Sequence, residues 1–277
     1  MGEWSYLAVY PGRAEQLMSS RLIEVNGHRL HVEERGSGSD PAVVLLHHGL
    51  GTERAWRAQI PFLAKAGYRV IAYDRWGYGH SDPRGKLSMP YFEDDQADLL
   101  ALLEQLGIDR AALVGHSDGG TIALYVAARQ PERVSALVTL AAHVFVEEAM
   151  ITSVQRVYGE YQTDVDFRTR LHRRQGSNAK AVISGWYHGW FRMENRDWDM
   201  RPELGKISCP ALVMQGAEDD HGSQEQASGI AAAIPSAELV LMPGAGHMLP
   251  RENADEVNPR LSLFLERVLE QERADVQ

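Results

Sequence analysis

Six short apolar runs, at residues 42–46, 68–73, 111–114, 134–140, 211–214 and 239–242, recur along the chain with helical patterns between most of them. They read as continuous runs, not as the apolar–polar alternation of a strand with one wet face. Strands of that kind belong to parallel sheets covered by helices on both faces. Residues 52–65 read as a helix opened by a Thr52 cap. In 92–106, Leu99, Leu102, Leu103 and Leu106 fall at three- and four-residue spacing before a stop at Gly107. Further helices are expected at 120–129, 224–233 and 255–272. Ahead of all these, runs at 22–25 and 30–33 flank Asn26-Gly27, a strong hairpin signal. The expected fold class is α/β, with a mostly parallel central sheet, helices on both faces and an antiparallel hairpin leading in.

The alternation stops at His143 and resumes only after Ser208. Between them lie helical stretches and large aromatics, among them Trp186, Tyr187, Trp190 and Trp198. A structureless loop of that length does not fit a compact domain. The spacing predicts a helical cap at 143–208, inserted into a core made of 1–142 and 209–277. A packed subdomain without a ligand role is the alternative. A chain of 277 residues has room for this arrangement without disulfide or metal staples.

The chemistry concentrates after the run 111–114. There Gly115-His116-Ser117-Asp118-Gly119-Gly120 leads directly into a helical pattern. A Ser between two glycines at this spacing suits a sharp strand-to-helix turn that lifts its oxygen clear of the sheet and aims the following N–H, that of Asp118, at a substrate. A Ser hydroxyl needs a base, itself oriented by a third group. His247 follows the run 239–242 behind two glycines, Gly244 and Gly246, and is the expected base. The acid is expected among Glu218, Asp219 and Asp220 after the run 211–214, with Asp219 favoured and Asp220 second. A second oxyanion donor is expected from His47-His48-Gly49-Leu50-Gly51. Counted from His47 the donor N–H is that of Gly49, the favoured register; counted from His48 it is that of Leu50. His47 and His48 themselves read as loop-shaping residues. Trp186, Trp190 and Trp198 are expected either to line an apolar pocket or simply to pack the insertion.

Ser117 in its turn, the His47–Gly51 loop, Asp74-Arg75-Trp76-Gly77-Tyr78-Gly79-His80-Ser81-Asp82, Asp219 and His247 together resemble the α/β-hydrolase fold superfamily, along nearly the whole chain from Leu22 to Glu272. Within its serine branch the Ser-Asp-Gly-Gly turn, Tyr78-Gly79-His80-Ser81 and the stretch from Leu241 to His247 are similar to the α-amino acid ester hydrolases of the valacyclovir hydrolase type. The resemblance implies Ser117 as nucleophile, His247 as base, Asp219 as acid, and Asp118 as the carboxylate that meets a substrate ammonium. Trp76 and Asp220-His221-Gly222-Ser223 depart from the pattern and bear on the pocket rather than the triad.

These residues point to cleavage of a carboxylic ester through an acyl-enzyme on Ser117. A lactone, thioester or C–C bond hydrolase, a cofactor-free haloperoxidase, or a non-catalytic ligand receptor on the same fold would carry the same triad. Ser at the nucleophile position argues against epoxide hydrolases and dehalogenases, which need a carboxylate there. The partner expected is a small ester-like molecule, with no cofactor and no metal, since neither H-E-x-x-H nor a phosphate- or dinucleotide-binding glycine motif is present. Acidic groups outnumber basic ones, 38 against 28, which disfavours nucleic acid and anionic membranes. Cys209 is the only cysteine, so no disulfide framework or Cys-based zinc site forms within the chain. Residues 1–20 lack the pattern of a secretory leader, Tyr6 breaks a myristoylation signal, and no apolar run is long enough to span a bilayer. The expected location is the cytoplasm. Oligomeric state is not legible.

Overall fold

The structure, a computed structural model, describes residues 18–192 and 195–275. The reading of residues 1–20 therefore falls, up to residue 17, outside the described residues. Eight strands form one sheet in the order β1-β2-β4-β3-β5-β6-β7-β8. They are β1 Met18–Val25, β2 His28–Arg35, β3 Ala42–Leu46, β4 Arg69–Tyr73, β5 Ala111–His116, β6 Val134–Leu140, β7 Ala211–Gly216 and β8 Ala237–Met242. The pairs β1/β2 and β2/β4 are antiparallel; every later pair is parallel. Asn26 and Gly27 turn the β1–β2 hairpin with φ of 47° and 84°, the left-handed pair that a two-residue turn requires.

The apolar strands are explained by their two faces. Val44 and Leu46 of β3 pack into a cluster with α2 (Glu93–Gln105) and α3 (Asp118–Arg129). Val43 and Leu45 face the opposite cluster, built with α1 (Gln59–Lys65) and α10 (Ala254–Asp275). Each such side chain, fully removed from water, contributes about 1.5–3 kcal/mol. The segment expected as one helix over 52–65 is split. Thr52 Oγ1 accepts from the Arg54 N–H and caps a single 3₁₀ turn, Glu53–Trp56, after which α1 starts at Gln59.

Strand order locates a crevice. From β3 the chain crosses to β4 on one side, then returns to β5 on the other side of β3. The loops leaving the carboxyl ends of β3 and β5 thus diverge at a topological switch point, where open α/β sheets bind ligands. Residues 47–51 and Ser117 sit in those two loops. Between β6 and β7 the chain forms α4 (Glu148–Thr163), α5 (Val165–Gln175), α6 (Ala179–Phe191) and α7 (Arg201–Leu204), with an isolated bridge pairing Phe145 and Asp199 near its ends. The remaining helices are α8 (Gln224–Ala233) and α9 (Leu249–Glu252). Among the described residues no helix is long and apolar enough to cross a membrane.

Candidate active site

Ser117 occupies the turn between β5 and α3 with φ 54° and ψ −123°, a strained conformation for a residue with a side chain. Its N–H is held by the Leu140 carbonyl of β6 at 2.9 Å, and its own carbonyl accepts from Gly120 and Thr121. The flanking glycines are sterically obligatory: a Cβ on Gly119 would overlap the Leu46 carbonyl, and one on Gly115 would overlap the Gly119 carbonyl. Asp118 opens α3, so its N–H precedes the first intrahelical acceptor and stands at the positive end of the helix.

The loops after β7 and β8 interlock. Ala217 N–H donates to Met242 O and Glu218 N–H to Ala245 O, both at 2.9 Å. This brings His247 Nδ1 to 2.8 Å from Asp219 Oδ2. The Asp219 carboxylate also accepts from Gln215 Nε2 at 2.8 Å and from the N–H groups of His221 and Gly222 at 2.7 and 3.2 Å. Asp220 and Glu218 face solvent, and Asp220 pairs with Arg156 of α4. Of the three acidic candidates, Asp219 alone meets His247.

His247 stands among other imidazoles. His116 Nε2 donates to the His247 carbonyl at 2.8 Å; His221 meets the His247 ring edge-on at 4.4 Å, and His143 stacks on it at 5.8 Å. Burial, and secondarily His221, pushes the His247 imidazole well below its ordinary pKa. Burial likewise drops His116 and His143 to about 3. These shifts favour the neutral imidazoles, which leaves His247 a ring nitrogen that carries no proton.

Ser117, His247, Gly49, Leu50 and Asp118 line one cavity of about 310 Å³. His47 donates from Nδ1 to the His48 carbonyl at 2.8 Å and accepts the Arg75 N–H on Nε2 at 3.1 Å. Burial lowers its pKa to about 3, which fits a loop-shaping role. The Leu50 N–H leans on His48 Nδ1 at 3.4 Å. Gly49 passes so close to Trp186 and Asp118 that a Cβ there would overlap both side chains.

Trp186 and Trp190 line the cavity. Trp198 does not line it: it packs behind Trp190 at 5.6 Å and donates to the Tyr125 hydroxyl at 2.8 Å. Trp76 stacks on His28 at 4.0 Å and donates to the Pro83 carbonyl. Asp118 accepts from Trp190 Nε1 at 3.3 Å, while its Oδ2 makes no hydrogen bond and lies 3.6 Å from Arg75 Nη2. Burial raises the Asp118 pKa to about 6, against the pull of Arg75.

Arg75 and Gln175 escaped the sequence reading. Arg75 is fully buried, paired with Asp95 at 3.2 Å and laid over the Tyr78 ring at 4.4 Å. Gln175, at the end of α5, has no exposed surface. Its amide donates to the Leu50 and Gly51 carbonyls at 3.1 and 2.8 Å, and its carbonyl accepts the Gly79 N–H at 2.8 Å. One side chain therefore ties the inserted helices to the loops that follow β3 and β4. Gln175→Ala would remove the side-chain partner of the Gly51 carbonyl and the Gly79 N–H and leave the Leu50 carbonyl to Arg174 alone. A loss of about 1–3 kcal/mol in urea unfolding is expected, with a lower kcat/KM as residues 49–51 loosen. Unchanged values in both measurements would remove Gln175 from this role.

Among the described residues one group has metal-ligand geometry: His31, Glu53 and Asp74, whose ligand atoms lie within 4.8 Å of one another. Burial, together with neighbouring Asp74, raises Glu53 to about 8. Asp74, despite its own burial, is held below the usual carboxylate range by hydrogen bonds from His31, Glu53 and the His80 N–H. The opposite shifts favour a neutral Glu53 beside an ionised Asp74, which also accepts the Glu53 N–H at 2.9 Å.

A Ser in a strained strand-to-helix turn at the switch point of such a sheet, sharing a cavity with an Asp-paired His, fits an α/β-hydrolase architecture. Residues 42–189 match the family described as alpha/beta hydrolase fold. The chain is 32% identical to the human serine hydrolase BPHL, covering 90% of this chain and 87% of that protein. It is 28% identical to epoxide hydrolase A of Mycobacterium tuberculosis, over 89% and 97% of the two chains. The solved enol-lactonase from Burkholderia xenovorans superposes with a TM-score of 0.73 at 25% identity, covering 89% of this chain and all of that one. The chain belongs to the α/β-hydrolase fold family.

Proposed function

We propose that this protein is a serine hydrolase of carboxylic esters. Ser117 attacks the ester carbonyl as His247 takes its proton, the alcohol leaves with that proton, and water, activated by His247, releases the acid from Ser117. Asp219 orients the imidazole and supports the imidazolium. The N–H groups of Asp118 and Gly49 hold the oxyanion, each such donor being worth about 2.7–4 kcal/mol; the Leu50 N–H is the alternative to Gly49. The observation that carries this reading is that His247, paired with Asp219 at 2.8 Å, lines the same cavity as a Ser strained into an elbow. Ser at that position supports ester over epoxide cleavage, because an epoxide hydrolase of this fold needs a carboxylate nucleophile.

The helices of 143–208 act as a cap, supplying the Trp186 and Trp190 wall of the pocket. Asp118, a buried carboxylate among the residues that line the cavity, supports recognition of a substrate donor such as an α-ammonium. The substrate is a small molecule.

A fluorophosphonate probe tests the nucleophile directly. Labelling is expected to place one adduct on the Ser117 peptide by mass spectrometry and to abolish hydrolysis of 4-nitrophenyl butyrate in proportion. An adduct elsewhere, or full activity after complete labelling, would overturn the assignment.

A further inference from the structure

Arg170 and Arg174 from α5 and Arg251 from α9 line the cavity that holds Ser117 and His247. Arg170 and Arg174 are one helical turn apart and share a face. The chain as a whole carries a formal charge of −10, so a local group of three cations runs against its composition. Among the described residues that line the cavity Asp118 is the only carboxylate, and Arg75 already stands beside it.

The arginines are short of anions. Among the described residues, neither Arg170 nor Arg174 has a carboxylate within ion-pair distance. Arg174 spends one N–H on the Leu50 carbonyl at 3.2 Å, and Arg251 pairs with the adjacent Glu252. Burial, then Arg251, then Arg170 lower the Arg174 pKa. Guanidinium groups that repel one another across a cavity are accommodated when an anion joins them, and their planar forks suit carboxylate and phosphate oxygens.

We propose that Arg170, Arg174 and Arg251 form an anion subsite, so that the preferred substrate carries a carboxylate or phosphate group in addition to its ester. This rests on the esterase reading and narrows its substrate class. Arg170 and Arg251 are exposed, so the subsite also draws anionic substrates in from solution, an effect that salt screens.

Two ester series test it. In one, butyrates of phenol carry a 4-carboxylate, a 4-phosphate or a neutral 4-carboxamide. In the other, the 4-nitrophenyl half-ester of glutaric acid is set against its neutral carboxamide counterpart. The parent protein is expected to favour an anionic member over its neutral partner by about tenfold in kcat/KM in at least one series. Arg174→Gln, and independently the exposed Arg170→Gln, should each move that ratio toward one, as should added salt. Comparing ratios between proteins cancels the intrinsic reactivity of the esters. A preference confined to the carboxylate or to the phosphate identifies the group. Hydrolysis of neutral esters with no anionic preference, or a preference unchanged in both variants, overturns the subsite and leaves the esterase reading intact. No hydrolysis of any ester overturns the esterase reading and the subsite with it.

Discussion

Ser117→Ala is expected to lower kcat on 4-nitrophenyl butyrate by about 10⁶, the scale set by removal of the nucleophile from other Ser-His-Asp triads. The substitution removes one oxygen and keeps the Cβ, so the positive φ at residue 117 is neither relieved nor worsened. The backbone bonds that fix the elbow run through the Ser117 N–H and carbonyl, which the variant retains. Fold and stability should therefore persist, and the loss of rate reads as loss of chemistry. Turnover by the variant within a hundredfold of the parent, at equal purity, would assign the nucleophile elsewhere.

The α/β class was legible because β-runs buried on both faces leave no polar alternation. The hairpin was legible because Asn26 and Gly27 both take positive φ. Ser117 and His247 stood out for a related reason: glycines around a single reactive residue mark a loop shaped to present it. What stayed hidden was pairing between distant segments. Nothing local distinguishes Gln175 from any other polar residue at a helix end; its importance comes from carbonyls about 125 residues earlier and from the Gly79 N–H. Arg75 was quoted within its motif, yet its burial beside Asp95 and Asp118 depends on α2 and α3 packing together. The split at 52–65 shows the limit of a cap signal. Thr52 does cap a turn there, but a 3₁₀ one that ends before α1 begins. The three tryptophans illustrate the same point: composition placed them in one segment, and packing put two at the cavity and one behind it.

In the proposed mechanism the inserted helices act through what they hold. α5 supplies Gln175, which fixes the backbone of residues 50 and 51, and Arg174, which reaches the same Leu50 carbonyl. α6 supplies Trp186 and Trp190. In the proposed mechanism, movement of these helices would alter both the pocket wall and the backbone of residues 50 and 51 beside the oxyanion donor, which would couple substrate fit to reactivity.

Asp219→Asn is the second large effect expected, a fall of about 10⁴ in kcat, as for the equivalent change in a serine protease. In the structure the Asp219 carboxylate meets donors only: His247 Nδ1, Gln215 Nε2 and two backbone N–H groups. Asn can present its carbonyl to one set of these donors, but its NH₂ must then face the other. With the backbone N–H pair retaining the carbonyl, the amide turns toward His247 and favours the tautomer protonated on Nε2, which cannot accept the Ser117 proton. The imidazolium that forms on attack also loses its counter-charge inside a buried site. Asp220→Asn provides the contrast. Its carboxylate is 64% exposed and pairs with an Arg156 that is 46% exposed, an interaction worth less than about 1 kcal/mol, and its kcat should stay near that of the parent. Steady-state kinetics of the two variants on one ester decide the matter: equal losses, or a larger loss at Asp220, would transfer the acid's role away from Asp219.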